Sequence, residues 1–311
     1  MLSRDVCSYG YFLLAPNRWR VPSQSLERVL DLPGGPARVT ISQPALDASA
    51  GRTFPHRPGA RLTATTDRSL AREDRAAARE QIARMLRLEE DASHAAAFHG
   101  VDPRWRATGR CRLFRSPTLF EDIVKTVTSC NVTWPGTVGM NSRLCEVLGR
   151  AGAFPTAKRL ARTRPATLRA RCRVGYRDAR LVELARLFAD SRSGVEASLT
   201  DPSRPDEEVF KSLKELPGIG PYAAGNIMML LGRYSRLALD SESLRHARHV
   251  LGMRGKDASL LRRLAEHYAA FGPFRFKSYW FEMWDFYESK RGVSHNWDRD
   301  EVGSSFTAAK L

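Results

Sequence analysis

The stretch FKSLKELPGIGPYAAGNIMMLLGRYSRLALDSESLRHARHV (residues 210–250) decides how this chain is read. Leu213 and Leu216 close one face of a helix, and Pro217 limits it. Gly218-Ile219-Gly220 leaves room for only a very tight connection before Pro221 opens the next helix, where its missing N–H is not needed. Two helices, 206–215 and 221–231, are therefore expected to form a hairpin across about 206–231. The glycines permit backbone conformations that side chains block. Amides at the start of the second helix can receive a phosphate oxygen while Ile219 pins the turn to the core. A hairpin that merely packs two helices is the plain alternative. The full pattern L-P-G-I-G-P-Y-A-A-x-x-I is far more specific than a lone G-x-G.

Working outward, Asp240 follows the apolar Leu237-Ala238-Leu239 and precedes a helix beginning SESLRHA, a position that suits an N-cap. Charge points the same way as the hairpin. The 311 residues carry 50 Lys plus Arg against 34 Asp plus Glu, a formal +16. A polyanion is the simplest partner for such an excess, and arginine-rich composition without function is the bland reading. Apolar runs such as YGYFLLA (9–15) and IMMLL (227–231) fall far short of the roughly 20 residues that span a bilayer, and no export signal is expected. The five cysteines, Cys7, Cys111, Cys130, Cys145 and Cys172, are odd in number and widely spaced, so reduced thiols are expected. None follows Cys172, which leaves the last third without an iron–sulfur ligand set. His246 and His249 lie one turn apart without a partnering carboxylate or thiol; a solvated helix face accounts for them, and no side-chain metal site is expected.

The remainder divides into a β-rich start and a helical body. Residues 1–66 are rich in Pro, Gly, Ser and Thr; ARVTISQ (37–43) and ARLTATT (60–66) read as strands of a small antiparallel sheet, with turns at LPGG (32–35) and RPG (57–59). Helices are expected over 70–90, Pro117–Cys130, Met140–Leu148, 156–161, 165–170, Tyr176–Phe188, 241–250, 257–270 and 275–288. Residues 190–206 read as a loop. The organisation expected is a β domain at 1–68, a two-lobed helical domain at 69–290 and a loosely held polar tail at 291–311, mainly α and α+β as a whole.

LPGIGPYAA followed by LALDSES closely resembles the helix-hairpin-helix and Gly/Pro…Asp signature of the base-excision repair DNA glycosylases. The likeness extends through RMLRLEED (84–91), similar to the alkylated-base branch, and SPTLFEDIVKTVTSCNVTW (116–134) with MNSRLCEVLG (140–149), which look more like the 8-oxoguanine branch. FPTAKRLA (154–161), CRVGYRDARLVELA (172–185) and KSYWFEMWDFY (277–287) complete it, so that it covers roughly 70–290. The resemblance implies that Asp240, eighteen residues past Tyr222, is the catalytic carboxylate. It would stabilise the oxocarbenium-like transition state, orient water, or do both. Members that also cut the backbone carry a lysine where this chain has Tyr222, so the resemblance implies the monofunctional branch, which leaves an abasic site. It further implies DNA-backbone contact by Gly218, Ile219, Gly220 and Tyr222.

For the base pocket and the gap left by an extruded nucleotide, the resemblance offers Asn131, with helix termination as the plain alternative. Trp134 either stacks on a base or fills the core, and Tyr222 lines the pocket. Tyr176 and Arg177 are expected to fix a helix start. The implied partner is double-stranded DNA bearing a damaged base, bound by a monomer in a bacterial nucleoid or a eukaryotic nucleus. No cofactor is expected beyond a monovalent cation on hairpin carbonyls. An alkylated purine of the 3-methyladenine type is the expected substrate. An oxidised purine, 8-oxoguanine, is the nearest alternative, followed by a non-catalytic lesion-recognising module and a hairpin used only for packing.

Overall fold

The computed structural model describes residues 1–43 and 61–299; the RPG turn at 57–59 lies outside them. Alternation builds the sheet. In β3 (Gly35–Ser42) Ala37, Val39 and Ile41 are buried while Arg38 and Thr40 face out, as a period of two demands. It pairs antiparallel with β2 (Ser25–Leu32), Leu26 opposite Ile41 and Leu30 opposite Ala37. With β1 (Arg18–Arg20) and β4 (Thr63–Thr66) the order is β1-β2-β3-β4, antiparallel throughout.

The helices follow α1 (Leu2–Val6) and the sheet. They run through α2 (Arg72–Met85), α3 (Ala92–Val101), α4 (Leu119–Ser129), α5 (Trp134–Leu148), α6 (Ala157–Ala161), α7 (Pro165–Thr167) and α8 (Asp178–Ala189). Then come α9 (Val195–Thr200), α10 (Asp206–Glu215), α11 (Pro221–Leu230), α12 (Ser241–His249), α13 (Asp257–Ala269) and α14 (Arg275–Arg291). No described helix is long and apolar enough to cross a membrane.

Several local expectations need correction. The 190–206 segment is not a loop throughout: α9 occupies its centre because Leu199 is buried against the helical core. Strand β2 and helix α3 were not expected, since buried Arg28 interrupts the apolar pattern of one and Ala and His dominate the other. Residues 292–299 are not loose, and the rest of the expected tail lies outside the described residues. Trp297 is buried, stacking on Phe12 at 6.5 Å and lying 5.3 Å from Trp284. The Ser294 hydroxyl donates to the Cys7 carbonyl at 2.9 Å, and the Trp19 indole to the His295 carbonyl at 2.8 Å.

Two apolar cores result. One joins the sheet to α1, α3, α12, α13 and α14; the other joins α4 and α5 to α8, α9 and α10. Helix α11 is buried from Ala223 through Leu230 and belongs to both. A charged link ties the sheet to α4. Arg28 shares the inward face of β2 with Leu26 and Leu30, so its guanidinium needs a buried partner. Glu121 supplies it at 3.0 Å, and also forms an ion pair with the wholly buried Lys125 at 2.7 Å. Asn17 takes a second Arg28 hydrogen bond at 2.8 Å.

Glu121→Gln leaves two buried cations without their carboxylate and is expected to cost about 3–5 kcal/mol, read as a lower midpoint in urea unfolding. Lys125→Met keeps the Arg28–Glu121 pair and should cost clearly less.

Candidate active site

The hairpin forms as its residues dictate. Gly218 adopts φ +79, a conformation that calls for glycine, and the Arg180 side chain packs close against it, its Cδ 3.0 Å from where a Cβ would lie. Ile219 is buried, and its N–H donates to the Leu216 carbonyl at 3.2 Å. Gly220 and Pro221 are exposed, with nothing within 4 Å of a Cβ built on Gly220. The first-turn amides of α11, which have no intrahelical acceptor, thus begin at an open surface.

From α11 the chain doubles back to place Asp240. A Cβ on Gly225 would meet the Leu237 carbonyl oxygen at 2.9 Å and the Ala238 Cα at 3.1 Å, so this glycine lets residues 237–238 lie directly against α11. Asp240 then caps α12: its Oδ1 accepts the Ser243 N–H at 3.0 Å, and its own N–H donates to the Ser243 hydroxyl oxygen at 3.0 Å. The Ser243 hydroxyl also lies 3.2 Å from Oδ1 and 2.8 Å from the Tyr279 hydroxyl. Both Ser243 contacts fall on Oδ1. The Tyr222 side chain lines the same cleft and favours the charged form of this carboxylate. Burial raises the Asp240 carboxyl above the ordinary aspartate value; the Ser243 amide offsets only part of this, and neighbouring Glu242 adds to the rise.

Asp240 opens into a cleft of about 890 Å³ where the two cores meet. Its walls are aromatic. Tyr9 lies 4.7 Å from Trp280, which continues in parallel-stacked contacts to Phe276 at 6.2 Å and Trp284 at 5.5 Å. Asn226, one turn after Tyr222, accepts from the Tyr9 hydroxyl at 3.3 Å. Trp134 starts α5 and is partly buried, and its ring faces Gly10, so it both lines the cleft and packs.

Asn131 sits exposed on the rim at φ +52, beyond Cys130, which caps α4. Buried Arg177 holds that turn by donating to the carbonyls of Val127 at 3.1 Å, Cys130, and Asn131 at 3.5 Å. Tyr176 and Arg177 thus do more than start a helix: both line the cleft, with Tyr176 exposed.

The structure therefore brings Gly218, Gly220, Tyr222, Asn131, Trp134 and Asp240 to one cleft, while Ile219 serves as the buried anchor behind it. Sequence reasoning missed Tyr9, Gly225, Ser243 and Trp280. Aromatics at 276, 280 and 284 recur every four residues and carried a legible signal; Tyr9 had none, because the fold brings it in from the far end of the chain.

The histidine pair is another correction. His249 is exposed, but His246 is buried against the Tyr268 hydroxyl at 2.7 Å, and burial lowers it to about 4. A carboxylate, an imidazole and a thiol do converge away from the cleft, at Glu90, His94 and Cys111. The Lys277 ammonium already fills that donor set, 2.9 Å from Glu90, 2.7 Å from His94 and 3.8 Å from Cys111. Those residues do not fit a resident metal.

No family model matches the chain, and no curated protein matches it in sequence. Solved structures do match in fold. A 3-methyladenine DNA-glycosylase from Archaeoglobus fulgidus is 16% identical with a TM-score of 0.66, over 93% of this chain and 96% of that one. The apo 8-oxoguanine glycosylase/lyase of Clostridium acetobutylicum is 15% identical with a TM-score of 0.60, over 90% and 93%. The 3-methyladenine DNA glycosylase of Schizosaccharomyces pombe, in complex with abasic DNA, is 19% identical with a TM-score of 0.50, over 64% of this chain and 97% of that one. The architecture, a helical body with a small N-terminal antiparallel sheet, is the helix-hairpin-helix DNA glycosylase fold.

Two substitutions separate position from chemistry. Asn caps helices as well as Asp does, and the raised Asp240 carboxyl means that its charge opposes folding. That penalty is fully present at neutral pH and fades as pH falls through the folded-state value. Asp240→Asn should therefore melt at or above the wild-type temperature at neutral pH, whereas Asp240→Ala loses the cap and about 1 kcal/mol. Gly225→Val should displace 237–239 and cut activity while the protein remains folded by circular dichroism.

Proposed function

We propose that this chain is a monofunctional DNA glycosylase that hydrolyses the N-glycosidic bond of a flipped, alkylated purine of the 3-methyladenine type. The observation that carries the reading is a desolvated carboxylate, Asp240, in an aromatic cleft beside the hairpin with its exposed Gly218 and Gly220, with Tyr222 at the position where the sequence resemblance implies a lysine in backbone-cutting members. No lysine lines the cleft among the described residues. Similarity in fold to DNA-bound glycosylases supports duplex DNA as the partner.

The chemistry follows from charge. An alkylated purine cation departs as a neutral base, taking the glycosidic electron pair, so it needs no proton from the protein. Positive charge develops on the deoxyribose, and the Asp240 carboxylate opposes it from a site poor in water, where a fixed charge acts strongly. Water adds its oxygen to C1′ and releases a proton, leaving an abasic site and an intact backbone. The faces of Tyr9 and Trp280 provide stacking and cation–π attraction for the cationic base. Gly218, Gly220 and the first amides of α11 hold the backbone phosphate. Asn131, on the rim, fills the space the flipped nucleotide vacates.

Duplexes carrying single defined lesions test the reading. Release of alkylated purines is expected, with strand breaks only after hot alkali and no borohydride-trapped complex. Breaks without alkali, or a trapped adduct, would overturn the monofunctional assignment. Release of 8-oxoguanine alone would overturn the lesion class. Because the carboxylate must be ionised, the single-turnover rate should fall with acid at a pH above the ordinary aspartate range.

A further inference from the structure

Half of the chain's charge excess sits in one short stretch. Residues 158–180, KRLARTRPATLRARCRVGYRDAR, hold nine cations against one carboxylate, a net +8 of the chain's +16. The single acid, Asp178, is buried and paired with Arg169 at 2.9 Å. Arg177 is buried in the clamp on the α4 end. Lys158, Arg159, Arg162, Arg164, Arg171 and Arg173 are exposed and make no ion pair among the described residues. Like charges this close repel one another, and nothing in the fold requires them.

Their placement is specific. In the first turn of helix α8 the Arg180 side chain packs at Gly218 of the hairpin, and the turn just before the helix puts Tyr176 at the cleft rim, where Arg177 and Arg180 lie over its ring at 4.5 and 5.6 Å. Immediately before it the chain turns at Arg173, a non-glycine residue at φ +55. This strained conformation is fixed from both sides by Cys172 and Val174, which are wholly buried. The anchored turn holds Arg171 and Arg173 at the surface. Along the chain, positive charge thus leads from Arg180, at the hairpin and the rim, back to Arg173 and Arg171, with buried Asp178 the one acid between them.

We infer that this face is a second DNA-backbone track: Arg171 and Arg173, extended by Arg162 and Arg164, bind phosphates of duplex DNA beyond those the hairpin reaches. The inference rests on the DNA-binding part of the reading above and not on the identity of the lesion. The track touches phosphates alone, so it carries affinity and register without sequence preference.

Removing one cation from a phosphate lowers the slope of log affinity against log salt by about 0.9. For a long undamaged duplex measured across a salt series, Arg171→Gln with Arg173→Gln should lower the slope by about 2, with an unchanged melting temperature. The matching pair of lysine substitutions should keep it. An unchanged slope in the glutamine pair overturns the proposal. So does an equal fall from Arg75→Gln with Arg79→Gln on α2, or an equal fall in the lysine pair. Base release is scored separately on the wild type: a chain that releases no base yet shows this slope change keeps the track and loses the glycosylase.

Discussion

The cleft depends on a carboxylate that the fold holds partly out of water. Left alone, such a charge would take up a proton or draw the loop toward solvent. Asp240 is kept in place by the N-terminus of α12, whose Ser243 amide and hydroxyl both meet Oδ1. A helix start is also where a negative charge is electrostatically favoured. The same capping box therefore fixes the carboxylate's position and offsets part of its desolvation. Around it, the buried Tyr279 braces Ser243, so the group that restrains Asp240 is itself pinned by packing.

That arrangement needs distant parts of the chain to meet. Gly225 lets residues 237–238 lie on α11, and α11 spans both cores. Tyr9 completes the aromatic wall from the N-terminal segment, held by the Trp280 indole donating to the Ser8 carbonyl at 2.8 Å. The Arg28–Glu121–Lys125 link fastens the sheet to α4, and the Tyr11 hydroxyl adds a 2.7 Å contact to Thr126 on the same helix. The small sheet is thus mechanically coupled to the helix whose end carries Asn131.

How much of this was legible follows from how local each signal is. Pro217, the paired glycines and Pro221 are read within a few residues, so the hairpin was visible in sequence, and so was the cap at Asp240. The helices with a clean apolar stripe were equally plain. The missed pieces depend on tertiary contact. Arg28 looks like a surface residue until Glu121 is found behind it, and Trp297 in a polar tail gives no hint that it packs on Trp284. Gly225 reads as a helix-weakening residue, yet its role is set by a backbone that returns twelve residues later. His246 looked solvated because the helix is polar, but Tyr268 covers it.

On the proposed reading, Asp240 acts in the bond-breaking step rather than in binding, beside its role as the cap of α12. Single-turnover base release by wild type and Asp240→Asn from one alkylated-purine duplex, alongside the affinity of each for that duplex, tests this most directly. The predicted result is a fall in rate of roughly 10²–10³-fold with affinity retained. A variant that releases the base at the wild-type rate would contradict it.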